Sequence, residues 1–419
     1  MKFESYHNIE NKANFISLPI PESYRDGTGK VGVLIIADDI TGAAEIAGVC
    51  LRYGLKVSFG IDAIPADDTD VKIIATDSRS AIEGDAFQIY QIIANEIFKD
   101  SKPFVFKKCD SALRGFILTE LSALTDASGL HTVILQPSNP LSGRSIKNGE
   151  YFIGDNKIEN TGFSFDPDFP TSESSVKNIL LSRSTRQNTL KKIHFGKINK
   201  ISEPGVYIPD CSSIEDLIKS IELADNETLM CGSAAFFEQI LIHKGYKANS
   251  IANNQINLPT EFLLISGSTH PESRIFVEKM KNNNFPVRTF PESLLQEKTD
   301  EKDIEEWVNE LSEIWNKNNT LILTPSVSNI TFPDSSTILS ERMALVVQKL
   351  LDNCKIREIL LSGGATSYTL LKELNWKTLK PVQELAPGVV RMKVQHTETY
   401  LTLKPGSYPW PEEFLNEKC

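Results

Sequence analysis

A chain of 419 residues, 40% hydrophobic and 24% charged, has room for two or three ordinary globular domains with substantial cores. Its formal net charge of -11 argues against broad electrostatic attraction to nucleic acid or to an anionic membrane surface, so an anionic substrate has to be held by specific cations. The six cysteines are dispersed without a C-x-x-C pair, against a zinc knuckle or a thioredoxin-like redox motif, and no apolar run is long enough to span a bilayer. Reduced thiols and the lack of a basic-then-apolar leader make the cytoplasm the expected compartment.

Residues 1–30, with Pro19, Pro21 and the Gly27-Thr28-Gly29 turn, read as an extension, a surface wrap or an oligomer arm, and leave room for a homodimer. The run Val31–Ile36 has the pattern of a fully buried parallel strand and delivers Asp38, Asp39, Thr41 and Gly42 into a helical segment starting near Ala43. Strand-like runs at Val57–Ile61, Val71–Ala75, Phe104–Phe106 and Val133–Leu135 alternate with helical segments at Ala43–Tyr53, Ala86–Phe98 and Leu118–Ser128. That is the βαβ pattern of a mainly parallel sheet. Asn148–Asn156 suits a hairpin with its tight turn near Asp155 and Asn156. The Pro- and Gly-punctuated Glu159–Pro170 reads as an ordered loop, a lid or wall of a site. The first domain resumes with Gly205–Ile208, helical Ser213–Ala224 and Leu229–Phe236, and polar Asn249–Pro259 reads as a linker.

A second unit repeats the grammar. Phe262–Ile265 leads into Ser266-Gly267-Ser268-Thr269-His270 and a helix at Glu272–Asn282; Leu321–Leu323 leads into Thr324-Pro325-Ser326; Ile359-Leu360-Leu361 leads into Ser362-Gly363-Gly364-Ala365-Thr366. Ala386–Val390 and Thr402–Tyr408 add two more glycine turns. The fold class is therefore α/β, with two α/β domains of mainly parallel sheet, residues 31–250 and 260–419, and a cleft between them.

In open α/β sheets ligands bind outside the carboxyl ends of the strands. Those ends are chemically dense here: Asp38 and Asp39, then Thr76–Ser80 with Arg79, then Lys107–Gly115 with Lys108, Asp110, Ser111 and Arg114, then Gln136–Arg144. Lys and Arg suit a carboxylate, Arg as a planar fork, and Asp and Ser suit hydroxyls, so the set fits a small polyhydroxy acid. Each residue also has a plainer reading. Asp39 or Thr41 caps a helix, and Arg79, Lys108 and Arg114 form buried ion pairs with Asp77 and Asp110. Ser266-Gly267-Ser268 and Gly363–Thr366 suit phosphate cradles, where glycines let backbone amides approach at a helix N-terminus, or simple tight turns. No P-loop and no strand-linked G-x-G-x-x-G is present. His270 reads as a cap or a solvated side chain.

The ordered set of motifs is more specific than its parts. Ala37-Asp38-Asp39-Ile40-Thr41-Gly42-Ala43, Asp77-Ser78-Arg79, Lys108–Gly115, Pro137 through Gly143-Arg144, Thr161 with Asp166-Pro167, Ser266–Ser268, Gly363–Thr366 and Pro387-Gly388-Val389 resemble the four-carbon acid sugar kinase family over about residues 31–410. The resemblance implies an N-terminal domain that holds a tetronate (threonate, erythronate or 3-oxo-tetronate) and a C-terminal domain that holds ATP with Mg²⁺, with phosphorylation at the C4 hydroxyl. It places Asp38 or Asp39, Arg79, Lys108, Asp110, Ser111 and Arg114 on the acid-sugar side. Ser266, Gly267, Ser268, Gly363, Gly364, Ala365, Thr366 and Gly388 fall on the nucleotide side. Strand alternation favours Asp38 for the substrate contact and catalytic base and Asp39 for the turn. The chain departs from the family pattern at Ala365, where an acidic residue is common, at Ala112 in place of Thr, and in the tail Lys404-Pro405-Gly406-Ser407-Tyr408-Pro409. Two rival readings are a non-catalytic sugar-acid sensor with a degenerate nucleotide domain, favoured by Ala365, and a nicotinamide dehydrogenase.

Overall fold

Short apolar runs bounded by polar turns become buried parallel strands here, because helices cover both faces of the sheet they build. The structure, a computed structural model, describes residues 32–100, 102–166, 168–185, 192–248, 259–268, 270–295, 300–326 and 335–415. The expected extension at 1–30 and nearly all of the Asn249–Pro259 linker lie outside the described residues. The first unit runs β1 (Val33–Ala37), α1 (Ile40–Arg52), β2 (Val57–Ile61), β3 (Val71–Ala75), α2 (Glu83–Ile97), β4 (Phe104–Lys108), α3 (Ile117–Ser128) and β5 (Thr132–Gln136). A small sheet follows, β6 (Arg144–Lys147), β7 (Glu150–Ile153) and β8 (Asn156–Lys157), and then α4 (Val176–Ser182) and β9 (Ile193–Gly196). The unit closes with β10 (Gly205–Pro209), α5 (Ile214–Glu222), β11 (Thr228–Gly232) and α6 (Ala234–His243). The second unit runs β12 (Phe262–Ser266), α7 (Pro271–Asn282), β13 (Val287–Thr289), α8 (Glu301–Asn318), β14 (Thr320–Thr324), α9 (Ser335–Asn353), β15 (Glu358–Ser362) and α10 (Gly364–Glu373). Three antiparallel strands end it, β16 (Thr378–Ala386), β17 (Val389–Val394) and β18 (Tyr400–Lys404).

The expected hairpin is a three-stranded meander, and its first turn is Asn148-Gly149, both with positive φ, which the sequence reading passed over for the turn at Asp155. A larger difference is that the two parallel sets form one 15-stranded sheet, in the order β13-β14-β12-β15-β18-β17-β16-β2-β3-β1-β4-β11-β5-β10-β9. The pairs β2–β16, β16–β17 and β17–β18 are antiparallel, while β18–β15 is parallel. The strands of the second set therefore oppose those of the first, and the register slips in β16 bend the junction.

Each set has a point where successive crossovers leave on opposite faces. From neighbouring β1 and β3, α1 packs into one core and α2 into the other. From neighbouring β12 and β15, α7 joins a third cluster while α10 joins the core of α1. Such switch points open a crevice at the carboxyl ends. Helix α1 is buried along most of its length and shares one continuous core with α8, α9 and α10. Arg52 near its end pairs with Glu384 of β16 at 3.0 Å, and Tyr368 of α10 donates to Asp62, just beyond β2.

Candidate functional site

Asp38 and Asp39 leave β1 in succession, and the chain uses them differently. Asp39 is the N-cap of α1: its Oδ1 accepts from Gly42 N at 3.1 Å and its Oδ2 from Thr41 Oγ1 at 2.5 Å. Burial alone would raise the Asp39 carboxyl, but Arg79 and Lys108 outweigh it and hold it below the usual range. Asp38 is sealed from solvent. Its Oδ2 takes Arg79 Nε at 2.9 Å and Nη2 at 2.8 Å, and Lys107 Nζ lies 3.9 Å from Oδ1. The alternation argument is corrected on one point: Asp39 makes the turn, yet it is also the aspartate whose side chain keeps an opening, 12% against 0% for Asp38. A strand end points adjacent side chains apart, but which side faces the cleft depends on what stands behind it, here Lys107 with Glu120.

Arg79 reaches from the end of β3 and gathers three carboxylates, Asp38, Asp39 at 2.9 Å and Asp110 at 3.7 Å. The ion pair considered for it with Asp77 is not among those contacts. Arg114 takes Asp110 in a fork, Nε to Oδ2 and Nη2 to Oδ1 at 2.9 Å each, and reaches Asp166 at 3.3 Å. Asp110 also accepts from the Ala112 and Arg114 amides, and although burial alone would raise it, Arg114 and Arg79 hold it well below the usual range. Lys108 Nζ lies 3.5 Å from Glu45 and donates to Cys109 O at 3.0 Å. Arg79, Lys108, Asp110, Ser111 and Arg114 thus converge with the two aspartates around the ends of β1, β3 and β4.

Residues that sequence reasoning did not assign complete the crevice. Phe163, in the loop expected to wall the site, lies under both Arg114 and Arg144, at 5.7 and 5.8 Å. Arg183 ties the end of that loop, through Phe169 O and Thr171 Oγ1, to the Leu113 carbonyl. Behind Asp38, Lys107 and Glu120 form a fully buried pair at 2.6 Å. The adjacent lysines of β4 were the available signal, since alternation sends one to the cleft and the other into the core.

Asp77 offers a pH test. Burial first of all, then the Asp39 and Asp62 charges, push its carboxyl up to about 7 against the Ser80 hydrogen bond and Arg79. The unfolded chain loses that proton near pH 4, so stability falls as pH rises from about 4 to about 7. Asp77→Asn removes this loss: its unfolding free energy is expected to exceed wild type by roughly 2–4 kcal/mol at pH 7.5, with the gap closing as the pH falls toward 4. Equal melting curves at pH 7.5 would contradict it.

On the second unit, the loops after β12 and β15 interlock. A Cβ at Gly267 would sit 2.5 Å from Thr366 Cβ, and one at Gly363, where φ is +110°, would sit 3.3 Å from Ser268 N. Helix α10 begins at Gly364 with no side-chain cap, leaving the amides of Gly364, Ala365 and Thr366 directed at the crevice. Directly opposite is the first unit: a Cβ at Gly364 would be 3.6 Å from Asp39 Oδ2 and 3.7 Å from Thr41 Cγ2. Gly388 sits apart from these loops, in the β16–β17 turn against the Tyr408 ring, and Tyr408 bonds Glu45 of α1 at 2.9 Å. His270 caps α7, its Nδ1 accepting from Glu272 N. Lys404 is buried beneath the cradle, pushed down to about 8 by that burial, and donates to the carbonyls of Pro405 and Tyr408. No cluster of three metal-ligating side chains occurs among the described residues. Beside the cradle glycines stand the hydroxyl residues Ser268 and Thr366, with the Asp39 carboxylate opposite, which suits a metal carried on phosphates.

Residues 33–240 match the family model of a sugar-binding N-terminal domain, and residues 263–408 that of a nucleotide-binding C-terminal domain. A 3-oxo-tetronate kinase of Brucella melitensis biotype 1 is 32% identical over 158 residues, 36% of this chain and only 36% of that one. A 3-oxo-tetronate kinase of Haemophilus influenzae is 22% identical over 416 residues, 89% of this chain and 96% of that one. A D-threonate kinase of Bordetella bronchiseptica is 28% identical over 154 residues, 35% and 38% of the two chains. A crystal structure from Salmonella typhimurium LT2 shares the fold, with a TM-score of 0.73 at 17% identity over 92% of this chain and 98% of that chain.

Proposed function

The chain belongs to the four-carbon acid sugar kinase family, and on that premise we propose that it transfers the γ-phosphoryl group of ATP to the C4 hydroxyl of a tetronate: threonate, erythronate or 3-oxo-tetronate. The observation that carries this reading is the approach of Asp39 to Gly364, which sets an acidic acceptor crevice against the open N-terminus of α10. Family membership sets aside the nicotinamide dehydrogenase.

The Ser266–Ser268 and Gly363–Thr366 loops bind the ATP phosphates through backbone amides and hydroxyls, helped by the positive end of α10. Mg²⁺ carried in with ATP would supply charge neutralisation, and with Ala365 in place of an acid the side chains that would face it from this unit are the hydroxyls of Ser268 and Thr366. Asp39 takes the proton from the C4 hydroxyl as its oxygen attacks phosphorus, the γ-phosphoryl passes to that oxygen, and ADP leaves. Arg79, with Lys108, keeps Asp39 ionised, and it holds both aspartates in place. Phosphoryl transfer asks mostly for in-line placement and charge stabilisation, so a carboxylate of low basicity is adequate. The five described cysteines are buried and free, which supports a cytoplasmic setting.

An ADP-forming assay across a tetronate panel, with ³¹P NMR of the product, tests the proposal. A 4-phosphate from at least one tetronate is the expected result. Saturable tetronate binding without ADP would establish the sensor reading that Ala365 favours.

A further inference from the structure

The cations of the acceptor crevice fall into two kinds. Arg79 is saturated by Asp38, Asp39 and Asp110, Arg114 by Asp110 and Asp166, Lys107 by Glu120, and Lys108 lies against Glu45. These charges are already neutralised by the protein and serve to hold its own carboxylates. Arg144 differs. Its Nη1 donates to the Ser111 hydroxyl and its guanidinium lies 5.8 Å from the Phe163 ring, but among the described residues no carboxylate stands within ion-pair distance of it.

The position of Arg144 is fixed from behind. Its backbone exchanges hydrogen bonds with Asn139 at 3.0 Å in both directions, which pins the start of β6 to the turn that follows β5. Ser111 is held in turn by Tyr151, whose hydroxyl donates to the Ser111 carbonyl. The Arg144 charge also acts on Asp110 and on Tyr408 of the second unit, which puts the guanidinium near groups of both units. A half-buried guanidinium without a carboxylate partner among the described residues, backed by an aromatic face and flanked by a serine hydroxyl, is built to take a planar carboxylate in two parallel hydrogen bonds.

We propose that Arg144, seconded by Ser111, is the receptor for the C1 carboxylate of the sugar acid, and so the residue that separates tetronates from neutral four-carbon polyols and amides. The inference rests on the kinase reading of the crevice, and it moves the carboxylate contact away from Arg79, Lys108 and Arg114. With C1 on Arg144, C4 is left to the Asp39 end of the crevice.

The test uses the full-length protein with a tetronate and its neutral tetronamide. Wild type is expected to prefer the acid; Arg144→Gln is expected to lose about 10- to 150-fold in kcat/KM for the tetronate, the worth of hydrogen bonds to a charged group. The same variant should keep its ATP KM within about twofold, since uniform loss on one substrate marks that substrate's site. Its loss on the tetronamide should be much smaller than its loss on the tetronate, and Arg144→Lys should fall between. Equal losses on acid and amide, a matching rise in ATP KM, or an unchanged tetronate KM would each overturn the proposal. So would a wild type that does not discriminate acid from amide, a measurement that needs no variant. Should wild type form no ADP with any tetronate, the kinase reading fails and calorimetry decides this one separately. Tetronate binding by wild type that is lost in Arg144→Gln supports the receptor; binding by both proteins or by neither refutes it.

Discussion

Asp39→Asn is expected to lower kcat by about 10²–10⁴-fold, the usual worth of general-base assistance, while its melting temperature falls less than that of Asp38→Asn. Asn caps helices as well as Asp, so the substitution keeps the hydrogen bond from Gly42 N and removes chiefly the charge. Asp38→Asn is expected to do something different. It removes the negative charge between Arg79 and Lys107, both buried against it, and leaves cationic groups short of a partner in a dry site. Breaking a buried pair from one side costs about 3–5 kcal/mol, so this variant should unfold well below wild type, with a smaller loss of kcat at temperatures where it is folded. Rates under saturating ATP and tetronate, set beside melting curves of the same preparations, separate the two roles. A folded Asp38→Asn enzyme with no turnover, alongside an Asp39→Asn enzyme within a few-fold of wild type, would return the base to Asp38.

The strands of the first set are legible because burial on both faces leaves its mark in consecutive residues. Val57–Ile61 and Val71–Ala75 are read from the sequence to the residue, and the polar turns after β1, β3 and β4 mark where a ligand can sit. What joins the two sets is not legible. Thr378–Ala386 and Val389–Val394 have the period of a half-exposed hairpin around Pro387-Gly388, but its pairing with Thr378 and Leu379 against Gly60 and Phe59 spans most of the chain. Local periodicity carries no information about a partner that far away. The site shows the same limit. The types of its residues are visible at the strand ends, whereas their pairing is set by α3 and by the Phe163 loop, which is why Arg79 and Arg114 turn out to be engaged and Arg144 open.

Glu120→Gln is expected to destabilise the protein by about 3–5 kcal/mol, although Glu120 touches no substrate. Nothing around it in the helical run Ile117–Ser128 distinguishes it from a solvated helix-face acid, yet its side chain is fully buried and meets Lys107 at 2.6 Å. Ser78 donates to Glu120 Oε1 at 2.6 Å, and Thr76 donates to Ser78 at 3.1 Å, so the pair is tied to the turn that presents Arg79. Burial alone would push the Lys107 ammonium down; Glu120 outweighs it, with Tyr90 and Asp38 adding to the effect, and the amine stays well above its ordinary value. Without Glu120 the nearest carboxylate oxygen to Lys107 is Asp38 Oδ1 at 3.9 Å, a partner that Arg79 also claims. Lys107→Met should cost a similar amount by stranding Glu120, whereas Lys107→Met combined with Glu120→Leu removes both charges and should recover most of the loss. Denaturation midpoints of the four forms measure the coupling, and strictly additive losses would show that the two groups do not act as a pair. The double variant also isolates the consequence for the site. With stability restored, any remaining drop in kcat reports how far the Lys107 charge holds Asp38, and through Arg79 the cleft-facing Asp39, in the geometry that transfer requires.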